Sequence, residues 1–212
     1  MDRRHLALGL IFTWVVGMGR WWEDPHANLL QQLGVGSLVY VFALTLFLWL
    51  LLWPMAPPRW SFYNLLTFIT LTSPPGILYA IPVRHGLELE GAQTVRMLFL
   101  GIVAGWRVLL LAFYLHRGAG LERFPRLVAT FFPLTMIVTA LAVLNLERVV
   151  FEFMGGRGTD QATVNDDAFG VLVLITLGSI ILFIPLFLAY AVISVPALMR
   201  KFRRNPAIRL ES

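Results

Sequence analysis

The sequence predicts an all-α protein, a polytopic transmembrane helical bundle of about six spans with no soluble domain. Three observations predict this class: 58% of the 212 residues are hydrophobic, only 14% are charged, and the mean hydropathy is +0.75. Soluble domains carry about 25% charged residues, which makes a soluble fold a poor match. The net charge of +5 does not indicate nucleic-acid binding, because the basic residues form no long tract and stand at the ends of apolar runs.

Six apolar segments are the predicted spans, and the last five reach the roughly 20 residues needed to cross a hydrocarbon core of about 30 Å. The first is shorter and crosses only if Trp21 and Trp22 lie in the far interface. Its basic start and apolar run also fit a secretory signal peptide, but we expect it to be a retained span. The links between segments are short, so we expect function to lie in the bundle and its rims. The segments are 5–22, 38–56, 60–83, 94–115, 127–145 and 170–198, followed by a basic tail at 199–212.

Lys and Arg residues set the predicted orientation, because cytoplasmic loops carry an excess of both. With both termini in the cytoplasm, eleven of the 17 Lys and Arg residues fall on the cytoplasmic side and Arg107 falls inside a span. Most acidic residues then lie on the opposite side. The sequence therefore predicts a multi-pass protein of a bacterial inner membrane. The five basic residues on the outer side are Arg20, Arg84, Arg96, Arg148 and Arg157.

The predicted partners are membrane lipids. The tail "MRKFRRNPAIR" carries five basic residues just past the last span, and each can gain about 1 kcal/mol from anionic lipid at the membrane surface. A simple topology anchor is the alternative interpretation of this tail. A membrane-protein partner is also expected, whereas a nucleic-acid partner is not.

The third span contains the clearest irregularity, "LTSPPGILYAIP". Pro74 and Pro75 have no backbone N–H, so carbonyls about four residues earlier lose their helical partners. In lipid those carbonyls need neighbouring helices, water or hydroxyls such as those of Thr72 and Ser73. A helix broken in this way can form a substrate or ion site. A kink satisfied by its own Ser and Thr residues, or an early helix end, is the alternative.

Arg107 is the one ionisable residue that the sequence places deep inside a span. None of the six predicted spans contains an Asp or Glu. An unpaired arginine there costs at least about 2.5–3.5 kcal/mol, so it must find carbonyls, water or a lipid phosphate. Two roles are therefore possible for Arg107: it binds a ligand, or its side chain snorkels towards the membrane interface.

The outer rim collects polar residues from several loops, and these are further candidate binding residues. Two histidines and several carboxylates suit a metal site or an acid–base pair. However, no HExxH motif, His pair at i,i+4 or metal-binding loop spacing is present, so no metal or cofactor is predicted and no catalytic residue is assigned. Salt bridges within the rim are the structural alternative. The residues are Arg20, Glu23, Asp24, His26, Arg84, His85, Asn145, Glu147 and Arg148.

The stretch "TVRMLFLGIVAGWRVLLLAFYLHRGAGLERFPRLVATFFPL" resembles bacterial relatives of the Yip1 family over about forty residues. In that family a span with a Trp is followed by a short basic loop and a small-residue helix with a proline. The apparent sixth span and the near absence of a soluble N-terminal region depart from that family. The whole chain also resembles uncharacterised bacterial inner-membrane proteins, with "GMGRWWEDP" and "SPPGILYAIP" as its most distinctive parts. Neither resemblance implies a reaction.

Three functions remain open from the sequence. The first is a non-enzymatic accessory, assembly or binding component of the inner membrane, favoured by short loops and the lack of catalytic spacing. The second is a small transporter or an intramembrane ligand-binding protein that uses the broken third helix and Arg107. The third is an enzyme acting on a lipid-linked substrate at the outer rim, where Arg20 and Arg84 would hold a phosphate.

Overall fold

Helices account for all the regular structure in the part of the chain that the computed structural model describes, which is residues 3–19, 29–55, 57–81, 89–144 and 166–204. No β-strand occurs in these ranges, which confirms the predicted all-α class. Two 3-10 segments follow α3 and α4, at Trp53–Met55 and Pro74–Ala80. The helices are α1 (Arg3–Gly19), α2 (Leu29–Gln32), α3 (Val35–Leu52), α4 (Phe62–Leu71), α5 (Leu89–Arg117), α6 (Arg123–Val143) and α7 (Asp166–Arg204).

Among the described residues, four helical stretches are long and apolar enough to cross a membrane, which indicates a membrane protein. The predicted count of about six is not confirmed, because two of the predicted spans do not reach that length within the described residues. Helix α1 has 17 residues, which at 1.5 Å per residue is about 26 Å and slightly short of a 30 Å core. Helix α4 stops after 10 residues. The four stretches are Val35–Met55, Leu98–Arg117, Arg123–Val143 and Val173–Arg200.

The described boundaries extend two of the predicted spans. Helix α5 begins at Leu89, before the predicted start at residue 94. Helix α7 runs on to Arg204, so the first part of the predicted basic tail is helical. Both extensions carry polar residues. Hydropathy alone assigns such residues to loops, but here they continue the helix beyond the apolar core.

The packing of α1 depends on a stripe of small residues. Gly9, Thr13 and Gly17 are spaced by four residues, so they lie on one face, and all three are buried. A Cβ built on Gly9 would lie 2.7 Å from Cβ of Thr70, and one on Gly17 would lie 2.7 Å from Cβ of Ser37. Small residues let helix backbones approach closely. Such close packing is needed in lipid, because an apolar side chain gains no hydrophobic stabilisation by exchanging acyl chains for another helix. The stripe therefore brings α1 against α3 and α4.

The main apolar core lies between α3, α4, α5 and the start of α6. Each of the first three of these helices contributes a fully buried leucine to this core: Leu52 from α3, Leu65 from α4 and Leu115 from α5. Phe68 of α4 stacks on Tyr114 of α5, with ring centroids 4.4 Å apart. Helix α7 packs on the outside of this core, against α6 and the Trp53–Met55 segment.

Two ends of the bundle can be distinguished by contacts between loops. The N–H of Arg59, between α3 and α4, donates to the carbonyl of Ala119, between α5 and α6, over 3.4 Å. The hydroxyl of Tyr190 in α7 donates to the carbonyl of Leu51 at 2.6 Å, which brings the second half of α7 to this end. At the other end, the indole of Trp14 near the close of α1 donates to the carbonyl of Leu33 at 2.7 Å.

Replacement of Gly9 by Ala is expected to lower the stability of the folded bundle by about 1–3 kcal/mol, the usual cost of overpacking. The new methyl would meet Cβ of Thr70 and the backbone N of Leu71, neither of which can move aside cheaply. Thermal unfolding of the purified protein in neutral detergent measures the change.

The matched control is Gly101→Ala, because a Cβ on Gly101 meets no atom within 4 Å. That variant should be neutral or up to about 1 kcal/mol more stable, since alanine loses less backbone entropy than glycine in a helix. Equal effects of the two substitutions would show that α1 does not contact α4 as described.

Candidate functional site

The break in the third predicted span is closed by a hydroxyl from another helix. The hydroxyl oxygen of Thr13 lies 2.7 Å from that of Ser73, 2.9 Å from the carbonyl of Gly9 and 3.4 Å from the carbonyl of Thr70. Thr13 and Ser73 are both 3% exposed. Their contact is a buried polar junction that joins α1 to the point where α4 ends.

The carbonyl of Thr70 is one of those that the prolines were predicted to free. It accepts from the backbone N–H of Ser73 at 3.2 Å and approaches the Thr13 hydroxyl. A tightened i→i+3 turn and a side chain from α1 thus replace the bond that Pro74 cannot donate. The predicted loss of a helical partner is therefore matched by a specific substitute.

The four predicted residues of the break have different roles. Thr72 bonds within its own turn, since its hydroxyl donates to the carbonyl of Ile69 at 2.7 Å. Ser73 reaches across to α1. Pro74 and Pro75 open the 3-10 segment that ends at Ala80, where a missing N–H is tolerated. Of the alternatives from the sequence, the early helix end is observed, since α4 stops at Leu71. The Thr70 carbonyl that Pro74 leaves without a donor is met by the Ser73 N–H and approached by the Thr13 hydroxyl, not by a hydroxyl of its own segment.

Arg107 lies on the buried face of α5. Val103, Leu111 and Leu115 stand four residues apart on either side of it, and they are 1%, 9% and 0% exposed. Residues at this spacing share one face of a helix. Arg107 therefore projects from the buried face of α5 and is itself partly exposed. It also lies near the middle of the span Leu98–Arg117, whereas snorkelling side chains stand near helix ends.

The guanidinium of Arg107 lies against the 3-10 segment of the broken span. A Cβ built on Gly76 would lie 3.9 Å from Nη2 of Arg107 and 2.8 Å from Cγ1 of Val16 in α1. The missing side chain at Gly76 allows the arginine and α1 to approach the same point. The two features that the sequence singled out within the spans, the break and Arg107, thus come together.

Arg107, itself partly exposed, places a guanidinium in an apolar part of the described bundle. Nε of Arg107 is buried and has no hydrogen-bond partner among the described residues. The predicted spans supply no Asp or Glu to pair with it. A buried donor without a partner costs about 1–3 kcal/mol, and more when it is charged. The arrangement is therefore suited to an anion that brings its own oxygen acceptors.

The other predicted site residues lie outside the described residues. These are the outer-rim candidates. Within the described ranges, no cluster of three or more His, Asp or Glu side chains is placed to hold a metal ion. The rim residues concerned are Arg20, Glu23, Asp24, His26, Arg84, His85, Asn145, Glu147 and Arg148.

Sequence reasoning missed Thr13 and Gly9, which build the α1 side of the junction. The available signal was the four-residue spacing of Gly9, Thr13 and Gly17 in an otherwise apolar helix. Such a small-residue pattern predicts close helix packing. It does not identify the partner helix, so Ser73 was not predicted to be that partner.

No protein-family model, curated protein or solved structure matches this chain. Function is therefore inferred from the arrangement of its own residues, and the resemblance to the Yip1 family stays a prediction. The fold and the site together define the class: an apolar, all-helical membrane protein with an arginine inside its bundle.

The Thr13–Ser73 contact is expected to couple the two residues energetically. Interhelical hydrogen bonds in membranes contribute about 0.6 kcal/mol on average and at most about 1.7. A double-mutant cycle with Thr13→Val and Ser73→Ala, followed by thermal unfolding, should return a coupling energy in that range.

Thr45→Val provides the control for this cycle. Thr45 is also buried, but its hydroxyl donates to the carbonyl of Val41 within its own helix. Thr13→Val and Thr45→Val should be additive within about 0.3–0.5 kcal/mol. A Thr13–Ser73 coupling inside that margin would rule out the junction.

Proposed function

We propose that this protein is a non-enzymatic integral protein of a bacterial inner membrane that binds an anionic ligand inside its helical bundle. The ligand would lie between α5 and the 3-10 segment Pro74–Ala80, with Arg107 as its charged contact. One observation carries the proposal: Nε of Arg107 is buried without a partner in the described structure, in a bundle whose predicted spans contain no acidic residue.

Carboxylates and phosphates are the ligand groups that match this contact. A guanidinium presents a planar fork of N–H donors, which two oxygen atoms of one oxyanion accept together. The low dielectric of the bundle strengthens the attraction relative to water. An oxyanion at Arg107 would thus both pair the charge and satisfy the buried donor.

A binding role is better supported than a purely architectural one. An arginine that assembles a partner helix should face outward, whereas Arg107 shares the buried face of α5 with Val103 and Leu111. The alternative enzyme at the outer rim has no described residue in its favour. It stays a prediction, as does an assembly role for the exposed helix surfaces.

A six-span topology with both termini cytoplasmic forms part of the proposal. Helix α4 spans about 15 Å and the 3-10 segment about 14 Å by their rises per residue, which together approach a 30 Å core. The loop contact between Arg59 and Ala119 supports the same arrangement, because it joins two loops that alternation assigns to one side. Basic residues collect at that end, as the positive-inside rule requires.

The topology is testable with single cysteines, because the chain has none of its own. Arg59→Cys and Glu122→Cys place thiols at exposed loop positions at one end. Both should react with a membrane-impermeant maleimide in inverted vesicles and not in intact spheroplasts. Ser212→Cys should follow the same pattern. Labelling of Arg59→Cys and Glu122→Cys from opposite sides would refute the alternating arrangement.

Arg107→Leu is the direct test of ligand binding. The purified protein in neutral detergent is titrated with four anions, namely acetate, inorganic phosphate, oleate and phosphatidic acid, and its melting temperature is recorded. Binding to the folded state at 100 times Kd adds about 2.7 kcal/mol of stability, or several degrees for a chain of this size. At least one anion should produce this shift in the parent and none in Arg107→Leu.

Two comparisons make this test specific. Arg117→Leu removes an exposed arginine at the end of the same helix and should retain the anion response. Arg107→Leu without ligand should melt above the parent, because it removes an unpaired charge from the apolar region. If no anion stabilises the parent, or if Arg107→Leu responds equally, the proposed function is wrong.

A further inference from the structure

The surroundings of Arg107 also indicate from which side a ligand reaches it. Beside the arginine, α5 presents the apolar side chain of Trp106, about 100° around the helix, to the outside of the bundle, where it is 48% exposed. Ile102 and Leu109 are also exposed, on the face opposite Arg107. On the 3-10 segment, Ile77 follows Gly76 and is 60% exposed. At this depth in a membrane, exposed apolar surface faces acyl chains. The outer border of the Arg107 position is therefore lined by lipid.

The depth of Arg107 argues against approach from water. Nine residues separate it from Leu98 and ten from Arg117 at the ends of the span, which correspond to about 14 and 15 Å of helix rise. An ion from solution would have to pass about half of the hydrocarbon core. On the inner side, close packing of Val16 against Gly76 blocks the way from α1.

We propose that the anion bound by Arg107 is an oxyanion headgroup carried on an apolar tail, which enters from the bilayer between α5 and the 3-10 segment. This inference rests on the proposed function and names its ligand class. The headgroup oxygens accept from the guanidinium, and the tail lies on the exposed apolar side chains of Trp106 and Ile77. Such a molecule is already dissolved in the membrane, so its tail need not leave water at the moment of binding.

Carboxylate and phosphate headgroups share this chemistry, and both occur on membrane amphiphiles. The tail adds to the affinity whichever headgroup is present. It does so by concentrating the headgroup in the bilayer: each methylene group gains about 0.8 kcal/mol on leaving water, so two are enough to lower the total concentration needed about tenfold. The decisive comparison is therefore between the same headgroup with and without its tail.

The experiment titrates the whole protein in lipid nanodiscs of zwitterionic phosphatidylcholine. Oleate is compared with acetate, and phosphatidic acid with inorganic phosphate; oleyl alcohol supplies the tail without the charge. Melting temperature is measured for the parent, Arg107→Leu and Arg117→Leu. At least one tailed anion should stabilise the parent and Arg117→Leu at concentrations more than about tenfold below its untailed counterpart. Arg107→Leu should not respond, and oleyl alcohol should have no effect on any of the three.

The outcomes separate the two proposals. If acetate or phosphate acts through Arg107 at concentrations no higher than its tailed counterpart, the lipid-borne ligand is wrong and anion binding stands. If oleyl alcohol stabilises as well as oleate, the tail alone is recognised and the charged contact is refuted. If no anion acts through Arg107, both the ligand class and the proposed function fail.

Ile77→Ser provides a second measurement that does not alter the charge. It removes apolar surface from the proposed tail contact at an exposed position, so it should raise the concentration of oleate needed severalfold. The matched control is Val39→Ser on α3, an exposed position at 62% that the proposal leaves unused. An equal response of the two variants would contradict entry beside the 3-10 segment.

Discussion

The end of α4 at Leu71 is the constraint on which the rest of the bundle depends. Two prolines remove backbone donors inside an apolar region, where no water is available to take their place. The carbonyls can be satisfied only by what the chain itself brings to that point. The N–H of Ser73 donates to the Thr70 carbonyl. The hydroxyl of Thr13 approaches the same carbonyl from α1, and it reaches the break because Gly9 and Gly17 let the helix backbones come close. The position of α1, and with it the wall opposite Arg107, follows from this need.

The polar junction and Arg107 both lie against the region around the 3-10 segment, but they differ in their hydrogen bonding. Thr13 and Ser73 satisfy each other, and they lie about one turn along their elements from Val16 and Gly76. Arg107 has no such partner at Nε. A protein selected only for stability would replace this arginine with leucine, which suits the apolar neighbours on its face. An unpaired charge at this position lowers the stability of the bundle, and the proposed anion would offset that cost.

The sequence predicts the helices well because hydropathy and prolines act locally. The break at Pro74, the depth of Arg107 and the extent of the apolar segments are all readable from neighbouring residues. Two features could not be predicted from neighbouring residues in the sequence. The direction of Arg107 depends on which face of α5 is buried, and an apolar span gives almost no amphipathic signal of that face. The Thr13–Ser73 contact joins residues 60 positions apart, a pairing that only the folded arrangement of the helices determines.

The small-residue stripe on α1 has a consequence for the order of assembly. Its partners Ser37, Thr70 and Ser73 all come later in the chain, and Ser73 follows Thr13 by 60 residues. At synthesis rates of about 5–20 residues per second, the hydroxyl of Thr13 waits about 3–12 s for this partner. During that interval its own Gly9 carbonyl is the nearest acceptor. The bond within α1 thus keeps the Thr13 hydroxyl hydrogen-bonded in lipid until the broken third span packs against α1.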